Sequence, residues 1–236
     1  VDLEELWRDV TGTQPPPSDA AVVALAAVAL LLVAVPALWR VTRHAVTIAH
    51  EGAHGLAALL TGRSLTGIRL HSDTSGLTVS RGRPGGPGMV LTAFAGYVGP
   101  ALLGLGAAYL LHHDHALAVL WLGVALLALL LLQIRNFFGL WSVCIAGVAL
   151  FAVTWWGSGT LQSVAAYLGT WFLLLAAPRP VLELQALRHR GWARTSDADQ
   201  LARLTRVPGL VWVGAFLAVT TGCLLMGAWW LLGVGY

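Results

Sequence analysis

Charge is scarce in this chain: only 11% of its 236 residues are Asp, Glu, Lys or Arg, whereas soluble domains carry charge on about a quarter of theirs. Lysine is absent altogether, so all 14 cations are arginines. This excludes an ordinary soluble domain. The net charge of +3 does not argue for nucleic acid either, because the arginines are distributed as membrane-orientation signals. Cysteine is nearly missing too. Cys144 and Cys223 both fall inside apolar runs, where they read as small packing residues rather than a disulfide or a zinc ribbon. There is no doubled half and no solenoid-period repeat, which counts against a solute transporter.

What fills the chain is apolar: 57% of its residues are hydrophobic. Apolar runs cover residues 22–38, 89–111, 116–134, 137–156, 161–177 and 210–232. Most are long enough to cross a hydrocarbon core of about 30 Å, because a helix rises about 1.5 Å per residue. The first run lacks a basic flank before it and a small-residue cleavage site after it, so it reads as a retained span. Residues 43–60 predict a further helix. If it crosses there are seven spans, and if it continues the first helix beyond Pro36 there are six. The expected fold is therefore an all-α integral membrane protein with six or seven transmembrane helices. Residues 1–19 form an extramembrane lead, in which Leu3, Leu6 and Trp7 suit a short interfacial helix, and residues 20–236 form one polytopic domain.

Arg63, Arg69, Arg81 and Arg83 lie in one loop, and Arg179, Arg188, Arg190, Arg194, Arg203 and Arg206 in another, residues 178–207. Four runs separate the two loops, so both fall on one face, with Arg135 beside them. The positive-inside rule makes that face cytoplasmic. The intervening segment 64–83 has a different texture: Ile68, Leu70, Leu77 and Val79 alternate with polar residues around Asp73-Thr74-Ser75-Gly76, which predicts a β-hairpin insert.

The chemistry-bearing pattern is His50-Glu51-Gly52-Ala53-His54. Histidines four apart on a helix project from one face and can chelate a single zinc, with the glutamate placed as general base of a peptidase. The plainer reading is a pair of helical histidines with a solvated glutamate. Context argues against it: Glu51 is the sole acidic residue between Val22 and Leu60, and an ionisable group at membrane depth is costly without a role or a partner.

With its following residues, His50 through Gly62, this stretch resembles the first motif of the site-2 protease family of intramembrane zinc metalloproteases. Asp73-x-Ser75-Gly76-Leu77-Thr78 is similar to its divergent branch of small bacterial and plant M-fifty-B-like peptidases. Ala95-Gly96-Tyr97-Val98-Gly99-Pro100-Ala101 resembles the family's next block, and Ser196-Asp197-Ala198 a short motif of the same branch. The resemblance implies a multi-pass protein of the cell membrane, the bacterial cytoplasmic membrane in particular. It implies a zinc endopeptidase that cuts membrane-anchored protein substrates near the cytoplasmic face, with Glu51 as base and His50 and His54 as ligands.

Two histidines leave a catalytic zinc one protein ligand short. The typical family member supplies an aspartate eight residues after an asparagine, in N-x-x-P-x-x-x-L-D-G. Here Asn136 starts such a stretch, but Gly139 stands at the proline and Cys144 at the aspartate. Asp197 is the preferred third ligand, against a helix-capping role, with Asp199, Glu183 and Cys144 as alternatives. The Asn136 amide suits a clamp on an extended substrate, against a turn residue satisfying its own chain, and an exposed hairpin edge offers a second contact. His112, His113 and His115, around Asp114, read as a solvated turn on the far face, and His44 and His71 as surface residues. The competing function is a non-catalytic membrane scaffold that keeps the fold.

Overall fold

The structure, a computed structural model, describes Glu4 and residues 10–191 and 196–233. The expected interfacial helix around Leu3, Leu6 and Trp7, and Arg194, lie outside the described residues. The chain runs α1 (Asp19–Ala34), α2 (Pro36–Leu60), β1 (Ser64–Leu70), β2 (Gly76–Arg81), α3 (Pro87–His112), α4 (Ala116–Leu131), α5 (Phe137–Trp156), α6 (Gly159–Ala176), α7 (Pro178–His189), α8 (Asp197–Thr205) and α9 (Gly209–Leu231).

Among the described residues four segments are long and apolar enough to cross a membrane: α3, α5, α9 and the continuous stretch Gly159–His189. The pair α1 and α2 adds a fifth if it is one span, but it is bent by 98°. Against the six or seven crossings expected from apolar runs, four or five segments pass on length and composition, with α4 a shorter apolar helix beside them. The reasons are local. Pro36 lacks the N–H that would continue α1 and instead opens α2 as its first residue. Helix α4 has 16 residues, about 24 Å at helical rise and short of a hydrocarbon core.

At the break, the Thr42 hydroxyl donates to Leu32 O (3.1 Å), meeting one of the carbonyls freed at the end of α1. Close packing of α2 on α3 depends on Gly99, where an added Cβ would collide with that of Ala53.

The hairpin forms as expected, antiparallel, with a register shift between Leu65 and Gly67. Its facing differs from a simple apolar alternation. Ile68 pairs with Thr78 and Leu70 with Gly76, so these four share one face. Ile68 and Leu70 are buried with Ile48, Leu130, Ile134 and Val143. Leu77 and Val79 take the other face, 51% and 42% exposed.

The edge of β1 is closed by the chain itself: Ile68 N donates to Gln133 O (2.8 Å) and Arg135 N to Ile68 O (2.9 Å). Asn136 prolongs that pairing with its side chain, Oδ1 accepting from Leu70 N (3.1 Å) and Nδ2 donating to Leu70 O (2.6 Å). Because Ile68 and Leu70 point their main-chain groups away from β2, strand alternation turns those of Gly76 and Thr78 outward on β2's free edge. They have no main-chain partner there among the described residues.

Candidate metal centre

Helix α2 carries His50, Glu51 and His54, and all three sit near its packed centre: Glu51 and His54 are buried. Helix α8 brings Asp197 to them as its first residue. Asp197 Oδ2 lies 3.3 Å from His50 Nε2 and 3.2 Å from His54 Nε2, and the two Nε2 atoms are 3.0 Å apart. Among the described residues these three form the group able to share one metal ion, with donor atoms within 4.8 Å of one another. A tetrahedral zinc with ligands at about 2.0–2.1 Å places its donors about 3.3 Å apart, so the triangle fits the ion in size.

The protonation pattern fits as well. His54 Nδ1 is 2.7 Å from Thr92 O. A carbonyl only accepts, so Nδ1 carries the hydrogen and Nε2 keeps its lone pair for a metal. Thr92 is itself tied down, its hydroxyl donating to Gly88 O (2.8 Å). The imidazole of His50 packs edge-on against Tyr97 at 4.9 Å between ring centres, and Tyr97 stacks on Phe216 at 4.9 Å.

Gly96 lies directly over the histidines. A Cβ there would fall 2.7 Å from His50 Nε2 and closer still to His54 Nε2. The lack of a side chain at Gly96 is what leaves room for two imidazoles side by side. When a proton rather than a metal sits on His54 Nε2, burial opposes charge on Asp197, but the charged imidazole and the hydrogen bonds from both histidines outweigh it and hold the carboxyl well below its usual range.

The helix cap and the place in the His-His-Asp cluster divide between neighbours in Ser196-Asp197-Ala198. Ser196 is the N-cap, its Oγ accepting from Asp199 N (3.4 Å) and donating to Asp199 Oδ2 (2.7 Å). Asp199 is further held by Arg188. Burial works against its charge too, and the bonds from Ser196 and Arg188 keep its carboxyl low. Asp197 is thereby left to face the histidines.

The other candidates for third ligand do not join the cluster. Asp199 is committed to the cap and Arg188. Glu183 accepts from Trp39 Nε1 (2.9 Å) and Arg179 Nε (3.1 Å) and pairs with Arg43 (3.3 Å). Cys144 is a half-buried free thiol on α5 outside the metal-competent group. The Asn136 amide, expected to clamp a substrate, has both its atoms engaged by Leu70. His44 packs 5.5 Å from Phe138, and His71 Nδ1 lies 3.3 Å from Ser75 Oγ. Thr92 was missed by sequence reasoning, since a main-chain carbonyl leaves no signature. Gly96 was quotable as part of a motif but had no assigned task.

An apolar helical bundle in which the two histidines of an H-E-x-x-H helix meet an aspartate from another helix has the make-up of a membrane metallopeptidase. The model of the Peptidase M50B-like family matches residues 22–227, and the chain belongs to that family. No curated protein and no solved structure matches it.

Proposed function

We propose that the protein is an intramembrane zinc metalloendopeptidase that cleaves membrane-anchored proteins near the cytoplasmic face of the cell membrane. His50, His54 and Asp197 hold the zinc and Glu51 is the general base. The observation that carries this reading is the convergence of His50 Nε2, His54 Nε2 and Asp197 Oδ2, one residue along the helix from a buried glutamate. The strongest argument for a non-catalytic scaffold was Cys144 in place of the family's usual aspartate. The Asp197 carboxylate, brought beside the histidines by another element, answers that argument and supports the catalytic reading.

Zinc in this site supplies Lewis-acid chemistry, polarising a peptide carbonyl and easing the deprotonation of water. The chain's own residues do the rest. Thr92 O holds the His54 tautomer, and Gly96 leaves the imidazoles room. Glu51 takes the proton of the attacking water and passes it to the leaving amine nitrogen. A transmembrane helix must unwind to be cut. The outward N–H and C=O groups of Gly76 and Thr78, on the strand lying against Glu51, suit an extended segment added beside β2.

The test is cleavage of a single-span reporter protein by purified protein, with metal analysis alongside. Wild type should contain about one zinc per chain and lose cleavage on chelation. Glu51→Gln should keep its zinc and lose roughly 10²–10⁴-fold in rate. Undiminished cleavage by that variant excludes Glu51 as base, and a metal-free, inactive wild type returns the scaffold reading.

A further inference from the structure

The hairpin does more at this site than offer an edge. The Thr78 hydroxyl lies 2.6 Å from Glu51 Oε2 and 3.1 Å from Glu51 O. Its single hydrogen is directed to the carboxylate, the shorter and charge-assisted contact. Two residues earlier on the same strand, Gly76 presses on the other side of the same group. A Cβ at Gly76 would fall 2.5 Å from both Cγ and Oε1 of Glu51 and 2.7 Å from Cδ. Gly76 does not have the positive φ found at six other glycines and sits in an ordinary strand, so its backbone accepts alanine. The three heavy atoms nearest to the added Cβ all belong to the Glu51 side chain.

A glutamate side chain has three rotatable bonds, and freezing them in one arrangement needs contacts from outside its own helix. On α2 alone nothing selects the rotamer of Glu51. Strand β2 does so from two directions: a donor that ties down Oε2, and a bare Cα surface against Cγ and Oε1. The bond to Oε2 also supplies a partner for a carboxylate buried to 5% exposure.

We infer that Thr78 and Gly76 are positioning residues for Glu51: strand β2 is a built part of the proton-transfer machinery, fixing the carboxylate through a bond to Oε2 and contact with Cγ and Oε1. This rests on the peptidase reading for its catalytic consequence but not for its structural content. The strand is itself anchored through β1 to the 133–136 turn by Ile68 and by Asn136. Asn136 is thereby a support of the site at one remove.

The test uses full-length protein in detergent and two independent readouts. The first is a double-mutant cycle on thermal unfolding. Gly76→Ala should lower Tm by roughly 2–4 °C, and the loss should largely vanish in the Glu51→Ala background, where the obstructing carboxylate is gone. Additive effects of Gly76→Ala and Glu51→Ala overturn the inference whether or not the protein is a peptidase.

The second readout is cleavage of the single-span reporter, with zinc content measured on each sample. Thr78→Val keeps shape and loses the donor. It should lower kcat about tenfold with KM and zinc content unchanged, and Thr78→Ser should restore most of the rate. Gly76→Ala should cost roughly 10²-fold in kcat. Wild-type kcat in Thr78→Val, or a valine defect that serine does not rescue, overturns the role of the hydroxyl. If wild type neither binds zinc nor cleaves, the peptidase reading fails, and the thermal cycle still decides whether β2 holds the carboxylate.

Discussion

Two groups of histidines occupy this chain, and their fates differ. His112, His113 and His115 crowd round Asp114 within four residues, as dense a set of ligand types as the sequence contains. They do not converge. His112 Nδ1 turns to Trp230 O (3.4 Å) and His115 Nδ1 to Gly12 O (3.1 Å), while the His113 ring packs against Tyr109. These residues span the end of α3 and a turn in which Asp114 has a left-handed φ of 63°. His112 and His113 pack edge to face at 5.2 Å between ring centres, but successive residues at a helix end are turned by about 100°, and no third ligand atom joins them among the described residues. His50 and His54, separated by one helical turn, point together, and their third partner comes from a distant element. Spacing that matches the helical repeat brings ligand atoms together, whereas mere density leaves a half-buried turn in which two imidazoles bond to passing carbonyls.

The sharpest way to break this comparison is to remove ligands from each group and measure bound metal. Asp197→Ala should lose zinc at concentrations that saturate wild type, a drop in affinity well beyond the 10–100-fold typical of an outer-shell change. A triple alanine variant at His112, His113 and His115 should keep one zinc per chain. Metal lost from the triple variant and kept by Asp197→Ala would reverse the assignment of the two groups.

A smaller effect should separate two glycines of α3. Gly96→Ala pushes a methyl group into the space of both imidazoles and should weaken zinc binding at least about tenfold. Gly106 has nothing within 4 Å of an added Cβ. Gly106→Ala should leave the metal alone and raise helix stability by up to about 1 kcal/mol, read as an increase in Tm. Equal effects at the two positions would mean that Gly96 is there for helix packing and not for the site.

The smallest effect concerns the cap on which Asp197 depends. Ser196→Ala removes the acceptor for Asp199 N and should cost about 1 kcal/mol of stability. Arg188 still holds Asp199, so α8 should stay docked and zinc affinity should fall only a few-fold, measured by competition with a chelator. An unchanged Tm would show that Ser196 does not cap α8.

Much of the architecture could be read from residue order because its causes are local. Apolar run length marks α3, α5, α6 and α9, period-two alternation marks the hairpin, and the i, i+4 spacing puts His50 and His54 on one face. Pro36 was also visible, but the shortness of α4 was not: its apolar run continues to residue 134, past the helix end at Leu131, and helix ends depend on packing and caps. The register that put Leu77 and Val79 outward is likewise a product of partners. The 133–136 segment pairs with one edge of β1, and a shift of one residue exchanges the faces.

By itself the sequence determined a membrane-embedded helical chain, a chelating histidine pair and an acid with no business in apolar surroundings unless it had a task. Tertiary structure alone decided which of four candidates lies beside the histidine pair, what Asn136 grips, and which strand lies against Glu51. The division has one cause. Helical periodicity and hydrophobicity act over neighbouring residues and leave a pattern in their order, whereas coordination and hydrogen bonding act over about 3 Å of space, between residues whose separation along the chain carries no information.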